Sequence, residues 1–340
     1  MEVRQVDRGD EAGLAAWHGV LNAVERDTWP DRTGFNLREV RAFANHRGRY
    51  RRFVHLAAGE DAGPVVGVGV MDLPLRDNLH SAEVTVGVHP EHRRRGTGRA
   101  IVERMAELAA AEGRRTLNAL VDVPVAVVDS HPGAPFARSV GFVATLPGNS
   151  RSLAVPLEPD KEHELRHIVS TARGASDYRT FTFTAPWPEE YLEDHCDLAR
   201  RMSTDEPAGD AEREQEVWDA QRIREGDALR EERGVWKLAA VAQHLGSGRL
   251  VAFSELLLSP DAPAEAWQMA TIVHPAHRGH RLGLAVKLAN VDALDDAAPS
   301  VRRIITGNAA VNAPMIAVND LMGFEIVGAG WFWQKELRAG

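Results

Sequence analysis

The chain has 340 residues and a formal net charge of −9, with 44% hydrophobic and 26% charged residues. This length exceeds one ordinary domain and suits two domains of about 150–180 residues. The acidic balance argues against a general nucleic-acid binder, and the single Cys196 excludes an internal disulfide or a cysteine metal cluster. The charged start lacks an apolar signal-peptide core, and no apolar run reaches the roughly 20 residues of a membrane helix. We therefore expect a soluble cytoplasmic protein without membrane or nucleic-acid partners.

The first half of the chain predicts strands interleaved with helices. A strand over 82–88 leads into a basic turn, and a helix over 97–112 follows that turn. Glycine at 141 is suited to end a further helix. The remaining predicted elements are helices over 10–22, 37–45 and 135–140 and strands over 3–6, 52–58, 64–73, 116–121, 142–146 and 152–157, with a turn at 59–63.

The second half repeats this order after a charged segment of mixed sign. We interpret residues 158–175 as a partly helical linker between a domain at 1–157 and a domain at 176–340. The mixed order predicts an α+β fold in each half, a mixed sheet with flanking helices. The predicted elements are helices over 188–202, 207–233, 282–294 and 313–322, strands over 178–183, 237–243, 250–258, 303–306 and a strand ending at 273, and a final hairpin over 324–336.

One basic turn occurs twice in the sequence. Residues 88–93 read Val-His-Pro-Glu-His-Arg, and residues 273–278 read Val-His-Pro-Ala-His-Arg. Each copy joins an apolar strand to a helix, and each half later contains a Gly-Phe pair, at 141–142 and at 323–324. The recurrence predicts two related units, which we expect to pack as an internal pseudo-dimer in a monomer or homodimer.

The chemistry of this turn favours an anionic ligand. Glycine permits a tight turn and leaves no side chain between the backbone N–H groups and a ligand. The first N–H groups of the following helix lack intrahelical partners, and the helix dipole makes that end positive. A diphosphate fits there, with arginines adding charge-assisted hydrogen bonds.

The order strand, Arg-x-x-Gly-x-Gly, helix resembles the turn with which GNAT acetyltransferases hold the pyrophosphate of acetyl-CoA. The chain as a whole is similar to tandem GNAT proteins such as mycothiol synthase, which implies two GNAT acyl-CoA N-acyltransferase folds in tandem and acetyl-CoA as acyl donor. In the second turn Arg281 stands where a glycine is usual, and it either pairs with a phosphate or blocks the site. The resemblance implies donor-binding roles for Val86, Val88, Arg93, Arg94, Gly96, Thr97, Gly98, Val273, Arg278, Arg281, Gly283, Asn308 and Asn312.

The resemblance also implies places for the catalytic groups. Many GNAT enzymes place a tyrosine general acid five positions before the Phe of Gly-Phe, where this chain has Ala137 and Asn319. Asn319 either contacts the thioester sulfur or a pantetheine amide, or is a helix-surface residue. A base often lies on the strand before the turn, and Glu83 is the candidate there.

The base assignment differs between the halves. By sequence the partner of Glu83 in the second half is Gln268, which cannot act as a base. Glu265 and Glu255 are weaker candidates there. We find no metal site, because the histidines lack carboxylate or cysteine spacing.

These features predict an acyl-CoA-dependent N-acetyltransferase in which a small-molecule amine attacks the thioester directly. One domain is expected to be degenerate, and the resemblance to mycothiol synthase favours an active C-terminal domain. Two alternatives stay open. The missing tyrosines allow a non-catalytic acyl-CoA-binding sensor or structural protein, and the fold also allows acetylation of protein lysines or N-termini.

Overall fold

The computed structural model describes residues 1–60, 63–205, 207, 209 and 212–337. It divides into two compact units. The first unit comprises Met1–Gly148, Ala208–Arg213 and Gly328–Gly340, and the second comprises Asn149–Pro207 and Glu214–Val327. Part of the predicted turn at 59–63 and part of the predicted helix at 207–233 lie outside the described residues.

The first unit is a mixed sheet flanked by helices, as the sequence predicts. Its strand order is β1-β2-β3-β4-β5-β12-β6, in which β4 and β5 are parallel and the pairs β1–β2, β2–β3, β3–β4 and β5–β12 are antiparallel. Its elements are β1 (Glu2–Gln5), α1 (Glu11–Thr28), α2 (Leu37–Asn45), β2 (Arg51–Gly59), β3 (Val65–Pro74), β4 (Ser81–Val88), α3 (Thr97–Ala111), β5 (Thr116–Pro124), α4 (Gly133–Ser139), the start of β6 (Val143–Ala154) and most of β12 (Glu325–Glu336).

The second unit repeats the same plan. Its strand order is β7-β8-β9-β10-β11-β6, with β10 and β11 parallel and the β7–β8, β8–β9 and β9–β10 pairs antiparallel. Its elements are α5 (Pro159–Ser170), β7 (Tyr178–Thr184), α6 (Leu192–Asp205), α7 (Ala220–Arg233), β8 (Trp236–His244), β9 (Leu250–Leu258), β10 (Glu265–Val273), α8 (Leu282–Ala297), β11 (Arg303–Ala309) and α9 (Ala313–Met322).

Two long strands belong to both units. Strand β6 starts in the first unit and ends in the second, and β12 starts in the second and ends in the first. The sequence analysis divided each of these strands: it predicted two strands over 142–157 and a hairpin over 324–336. Residues 158–175, which the sequence predicts as a partly helical linker, belong to the second unit and form α5 and a short turn. Likewise α7 starts at Ala220, well after the predicted start at 207.

The helices that follow the two turns bury apolar side chains against their own sheets. In α3 one face carries Ile101, Val102 and Met105, all buried among residues of β2, β3 and β4. In α8 nine of the 16 residues are buried, and one of them is charged, Lys287. Both helices are therefore held rigidly, so the turns before them present their N–H groups from fixed positions.

Candidate active site

In each unit two parallel strands separate after a short paired stretch. Over the described residues β4 pairs with β5 along Ser81–Glu83 and Thr116–Asn118 and then leaves it. Strands β10 and β11 behave alike, pairing along Glu265–Trp267 and Arg303–Ile305. The strand ends beyond these points have backbone groups without ladder partners on that side, which suits an extended ligand with amide groups.

Only one of these two strands carries a bulge among the described residues. The register of β10 against β9 shifts between Gln268 and Thr271, so β10 contains one extra residue. The register of β4 against β3 is unbroken from Glu83 to Val88. Because a bulge takes a residue out of the ladder, it can direct a backbone N–H at a ligand. Such a donor is what a tetrahedral oxyanion requires.

The two basic turns have the same backbone conformation although their residues differ. The second and fourth positions of each turn are left-handed, with φ of +65° and +85° at Arg94 and Gly96 and of +86° and +57° at Gly279 and Arg281. Each turn thus has one arginine and one glycine at these positions, in opposite order. A left-handed arginine costs about 1–2 kcal/mol, a strain that is typical of ligand-binding sites. Arg281 therefore preserves the shape of the turn.

The first arginine of each turn is engaged by the protein itself. Arg93 donates from Nε to the Val88 carbonyl at 3.2 Å and pairs with Asp27 at 2.7 Å. Arg278 donates to the Val273 carbonyl and pairs with Asp205. Their side chains thereby fix the turn, and their charge is largely balanced.

The arginines at the left-handed positions, Arg94 and Arg281, differ from Arg93 and Arg278 in their contacts. Among the described residues Arg94 and Arg281 have exposed side chains without a hydrogen-bond or ionic partner. Each lies beside the positive end of a helix, α3 or α8. These two side chains are the free cations with which the turns can meet a phosphate.

The space above the helix N-terminus differs between the units. A Cβ built on Gly98 would lie 2.9 Å from Cζ of Phe136, and Gly98 is buried. A Cβ built on Gly283 would lie 3.9 Å from Cγ2 of Val318, and Gly283 is half-buried. Phe136 and Val318 are equivalent, since each lies six positions before the Phe of Gly-Phe. We interpret this phenyl ring as a cover over the start of α3, whereas the smaller valine leaves more space at the start of α8.

Thr97 contributes less than the sequence analysis expected. Its side chain is 2% exposed and packs towards Gly67 of β3. Its backbone N–H, at the start of α3, is the group left to contact a phosphate.

Glu83 has the surroundings of a base in the first unit. The side chain of Asn118 donates from Nδ2 to the Glu83 carboxylate at 3.0 Å, and Gln334 of β12 donates from Nε2 to Asn118 Oδ1 at 3.1 Å. The carboxylate is accessible from the cleft, but protein around it removes water, and this desolvation raises its pKa. The hydrogen bond from Asn118 opposes that rise. Neither Asn118 nor Gln334 was predicted from the sequence, and Gln334 comes from a distant part of the chain.

The second unit has no equivalent carboxylate among its described residues. Because of the bulge, the residue in the place of Glu83 is Trp267: each is the third residue of its paired stretch, opposite Asn118 and Ile305. The sequence-based partner Gln268 is therefore wrong by one position. Gln268 is buried and donates to Ser254 Oγ and to the Glu255 backbone carbonyl, both at 2.9 Å. These hydrogen bonds stabilise the bulge.

The two weaker base candidates of the second unit are already paired. Glu255 is 2% exposed, forms an ion pair with Lys237 and accepts from Trp187 Nε1 at 2.9 Å. Burial would raise its pKa, but these cationic and donor groups outweigh burial and lower the pKa to about 2. Glu265 is buried and pairs with Arg303. Both carboxylates are therefore engaged by cationic side chains of neighbouring strands.

A connected set of polar side chains lies behind the second cleft. Asn319 is 0% exposed, so it is not a surface residue. Its Oδ1 accepts from Lys287 Nζ at 2.9 Å, and its Nδ2 donates to Asn308 Oδ1 at 3.3 Å. Asn308 Nδ2 donates to the Ala309 carbonyl at 2.8 Å. Lys287 was not predicted as part of the site, although a lysine within the apolar sequence of α8 indicates an unusual buried group.

Asn312 caps the helix that contains Asn319. Its Oδ1 accepts from the Met315 backbone N–H at 3.3 Å at the start of α9. Its amide nitrogen is left to contact a donor molecule. In the first unit the position of Asn319 is Ala137, which is buried in the core.

One surface group of side chains resembles a set of metal ligands. His89, Glu91 and His92 have potential ligand atoms within 4.8 Å of one another, but His89 Nδ1 already accepts from the Glu91 N–H in the turn.

Comparison with known proteins agrees with this architecture. Residues 16–142 match the sequence profile of the acetyltransferase (GNAT) family. A tandem GNAT protein from the clavulanic acid biosynthesis pathway is 27% identical, with a TM-score of 0.78 over 100% of this chain and 99% of that chain. No curated protein matches the chain.

More distant structures agree in the fold alone. A GCN5-related N-acetyltransferase from Sphaerobacter thermophilus is 14% identical, with a TM-score of 0.64 over 100% of this chain and 96% of that one. One from Kribbella flavida is 18% identical, with a TM-score of 0.51 over 99% and 72%.

The chain therefore carries a GNAT acetyltransferase domain and has the fold of a tandem GNAT protein, as the repeated turn predicts. GNAT proteins in general bind acetyl-CoA and transfer its acyl group. Within the described residues no helix combines the length and apolar character that crossing a membrane would require.

Proposed function

We propose that the chain is an acetyl-CoA-dependent N-acetyltransferase of a small-molecule amine, and that the second unit performs the reaction. The observation that carries this proposal is the space beside Gly283 at the start of α8, in the same unit as the bulge in β10. A diphosphate at that turn would meet the N-terminus of α8 and the free Arg281. The thioester would then extend along the separated strands β10 and β11 towards the bulge.

The chemistry asked of this site is modest. The amine nitrogen attacks the thioester carbonyl, an N–C bond forms, the C–S bond breaks, and CoA leaves as its thiolate. The proton that the attacking nitrogen loses passes to water or to the departing thiolate. A backbone N–H at the bulge would stabilise the oxyanion. Because a thiol has a pKa near about 8.5, the thiolate can leave without a dedicated acid. The absence of a tyrosine at position 319 is compatible with this step.

The described residues at the proposed site include no carboxylate equivalent to Glu83, and this restricts the acceptor. Trp267 replaces Glu83, and Glu255 is held as an ion pair, so we expect the amine to reach the site already neutral. An α-amino group, with a pKa near about 7.7–8.0, meets this condition far better than a lysine-type amine near about 10.4. We therefore infer an acceptor with an α-amino group or another weakly basic amine. This reasoning also disfavours the acetylation of protein lysines.

The test is CoA release from acetyl-CoA with a panel of amines graded by pKa. We expect turnover, with rates at pH 7.5 following the neutral fraction of each amine. Gly283→Trp should lower turnover by more than about 100-fold, because the indole fills the anion site. The matched control is Gly98→Trp combined with Phe136→Ala, which fills the first turn and removes the ring that would clash there. This control should keep wild-type turnover, and loss of turnover in the control alone would place the reaction in the first unit.

A second candidate is a non-catalytic acyl-CoA-binding protein. It is favoured by the engagement of both amide atoms of Asn319 and by Ala137 at the equivalent position. Acetyl-CoA binding that is lost in Gly283→Trp, with no CoA release across the whole amine panel, would support this candidate and refute the enzyme.

A further inference from the structure

Lys287 is the most unusual buried group of the second unit. It is 2% exposed, although lysine is almost never fully buried unless it is paired with a carboxylate. Its partners are the side-chain oxygen Oδ1 of Asn319 and the ring of Phe324, whose centroid lies 5.0 Å from Nζ. Burial alone lowers its pKa to about 7.

The charged groups on the surrounding elements are directed to one another and not to Lys287. Asp292 of α8 pairs with Arg166 of α5, and Asp320 of α9 pairs with Arg151 of β6. The pairs at the sheet are Lys237 with Glu255 on β8 and β9, and Arg303 with Glu265 on β11 and β10. The protonation of Lys287 is therefore not tied to a neighbouring carboxylate.

The fold does not require a polar group at these positions. In the first unit the equivalents of Lys287, Asn319 and Asn308 are Val102, Ala137 and Val121. All three of those residues belong to the hydrophobic core or pack against it. An amine that replaces a core valine costs free energy unless it is compensated, so the polar set in the second unit calls for a functional explanation.

The direction of the hydrogen bonds among Lys287, Asn319 and Asn308 supplies a functional explanation. An ammonium has three donors and no acceptor, so a protonated Lys287 requires the oxygen of Asn319 to face it. The Asn319 amide nitrogen must then face Asn308, whose own oxygen accepts, as observed. A neutral amine has a lone pair and would also accept from Asn319, so this direction would no longer be fixed.

We propose that Lys287 is a positioning residue of the acyl site, which as an ammonium sets the orientation of Asn319 and, through it, of Asn308. Asn308 lies on β11 beyond Ile305, the last residue paired with β10, and so borders the separated strands. Lys287 acts through these two amides and does not touch the reacting atoms. This inference rests on the proposed function of the second unit.

The first test compares the pH profiles of wild type and Lys287→Met. Because the ammonium is the directing form, the ratio of wild-type to variant kcat should be about tenfold at pH 6 and approach one above pH 8.5. Taking the ratio cancels the ionisation of the acceptor amine. Val102→Met, the same side chain at the same place in the first unit, should leave the profile unchanged. A ratio that is constant with pH would show a merely structural lysine.

The second test needs no turnover, so it separates this proposal from the proposed function. In ¹⁵N-labelled wild type, the side-chain amide resonances of Asn308 and Asn319 should shift with a common midpoint near pH 7. Single Asn308→Ala and Asn319→Ala variants assign these resonances. The transition should be lost in Lys287→Met or, if that variant does not fold, in Lys287→Leu. Amide resonances that do not titrate would overturn the proposal, whereas a clear transition without CoA release would refute only the enzyme.

Discussion

The two turns at Arg93–Gly98 and Arg278–Gly283 share a backbone but not an environment. Both have left-handed second and fourth positions, and both tie their first arginine to an aspartate and a carbonyl. In our interpretation Phe136 of α4 covers the start of α3, and Val318 of α9 leaves the start of α8 more open. The comparison teaches that a turn motif specifies a shape for binding an anion, whereas access to that turn depends on a side chain from a later helix.

The units also differ in the groups beyond the turn. The first keeps Glu83 with Asn118 and Gln334 but has an unbroken β4 and an apolar core where the second has Lys287, Asn319 and Asn308. The second has the bulge and the polar set, with Trp267 in the place of Glu83. We interpret the first unit as one that keeps a base without an accessible donor site.

The unpaired arginines of the two turns allow the test with the larger expected effect on the kinetics. Arg281→Gly keeps a left-handed turn and relieves its strain, but it removes the unpaired cation. We expect KM for acetyl-CoA to rise about tenfold, the loss of one charge-assisted contact of about 1.5 kcal/mol, with a weaker dependence on salt.

The matched control for this variant is Arg94→Gly, which makes the same change in the covered turn. Its KM should stay at the wild-type value. Steady-state kinetics at low and high ionic strength measure both variants, and equal effects of the two would mean that both turns hold the donor.

Replacement of Glu83 has the smaller expected effect. It also distinguishes most sharply which of the two units carries out the reaction. If the reaction takes place in the second unit, Glu83→Gln should change kcat/KM by less than about twofold, whereas loss of a working general base costs about 10²–10⁴-fold. The variant retains a side chain that can bond to Asn118. A large loss of kcat/KM at saturating acetyl-CoA would assign catalysis to the first unit.

Most of the fold could be predicted from the sequence because its signals are local. The strand, turn and helix around each basic motif and the Gly-capped helices before Phe142 and Phe324 are confirmed. The shared strands β6 and β12 were not foreseen, because which strand pairs with which is a long-range property. Residues 324–336 are predicted as an independent hairpin from the sequence. In the structure strand β12 occupies this segment and places Gln334 beside Asn118.

The candidate site was predicted less completely for the same reason. The spacing of the glycines and arginines identifies the residues of the turns. It does not show which arginine forms an ion pair, because Asp27 and Asp205 lie on helices far from the turns in sequence. The bulge moved Trp267 into the place assigned to Gln268, and a one-residue shift cannot be read from an ungapped repeat. The covering role of Phe136 depends on how closely α4 approaches Gly98.

The most direct test of the central claim is the stoichiometry of acetyl-CoA binding by calorimetry, on wild type and on two reciprocal variants. Val318→Phe should cover the second turn, and Phe136→Val should uncover the first. We predict one site per chain in wild type, none in Val318→Phe and a second site in Phe136→Val, with melting curves that show all three proteins folded. Two sites in wild type, or one site that survives in Val318→Phe, would contradict the account.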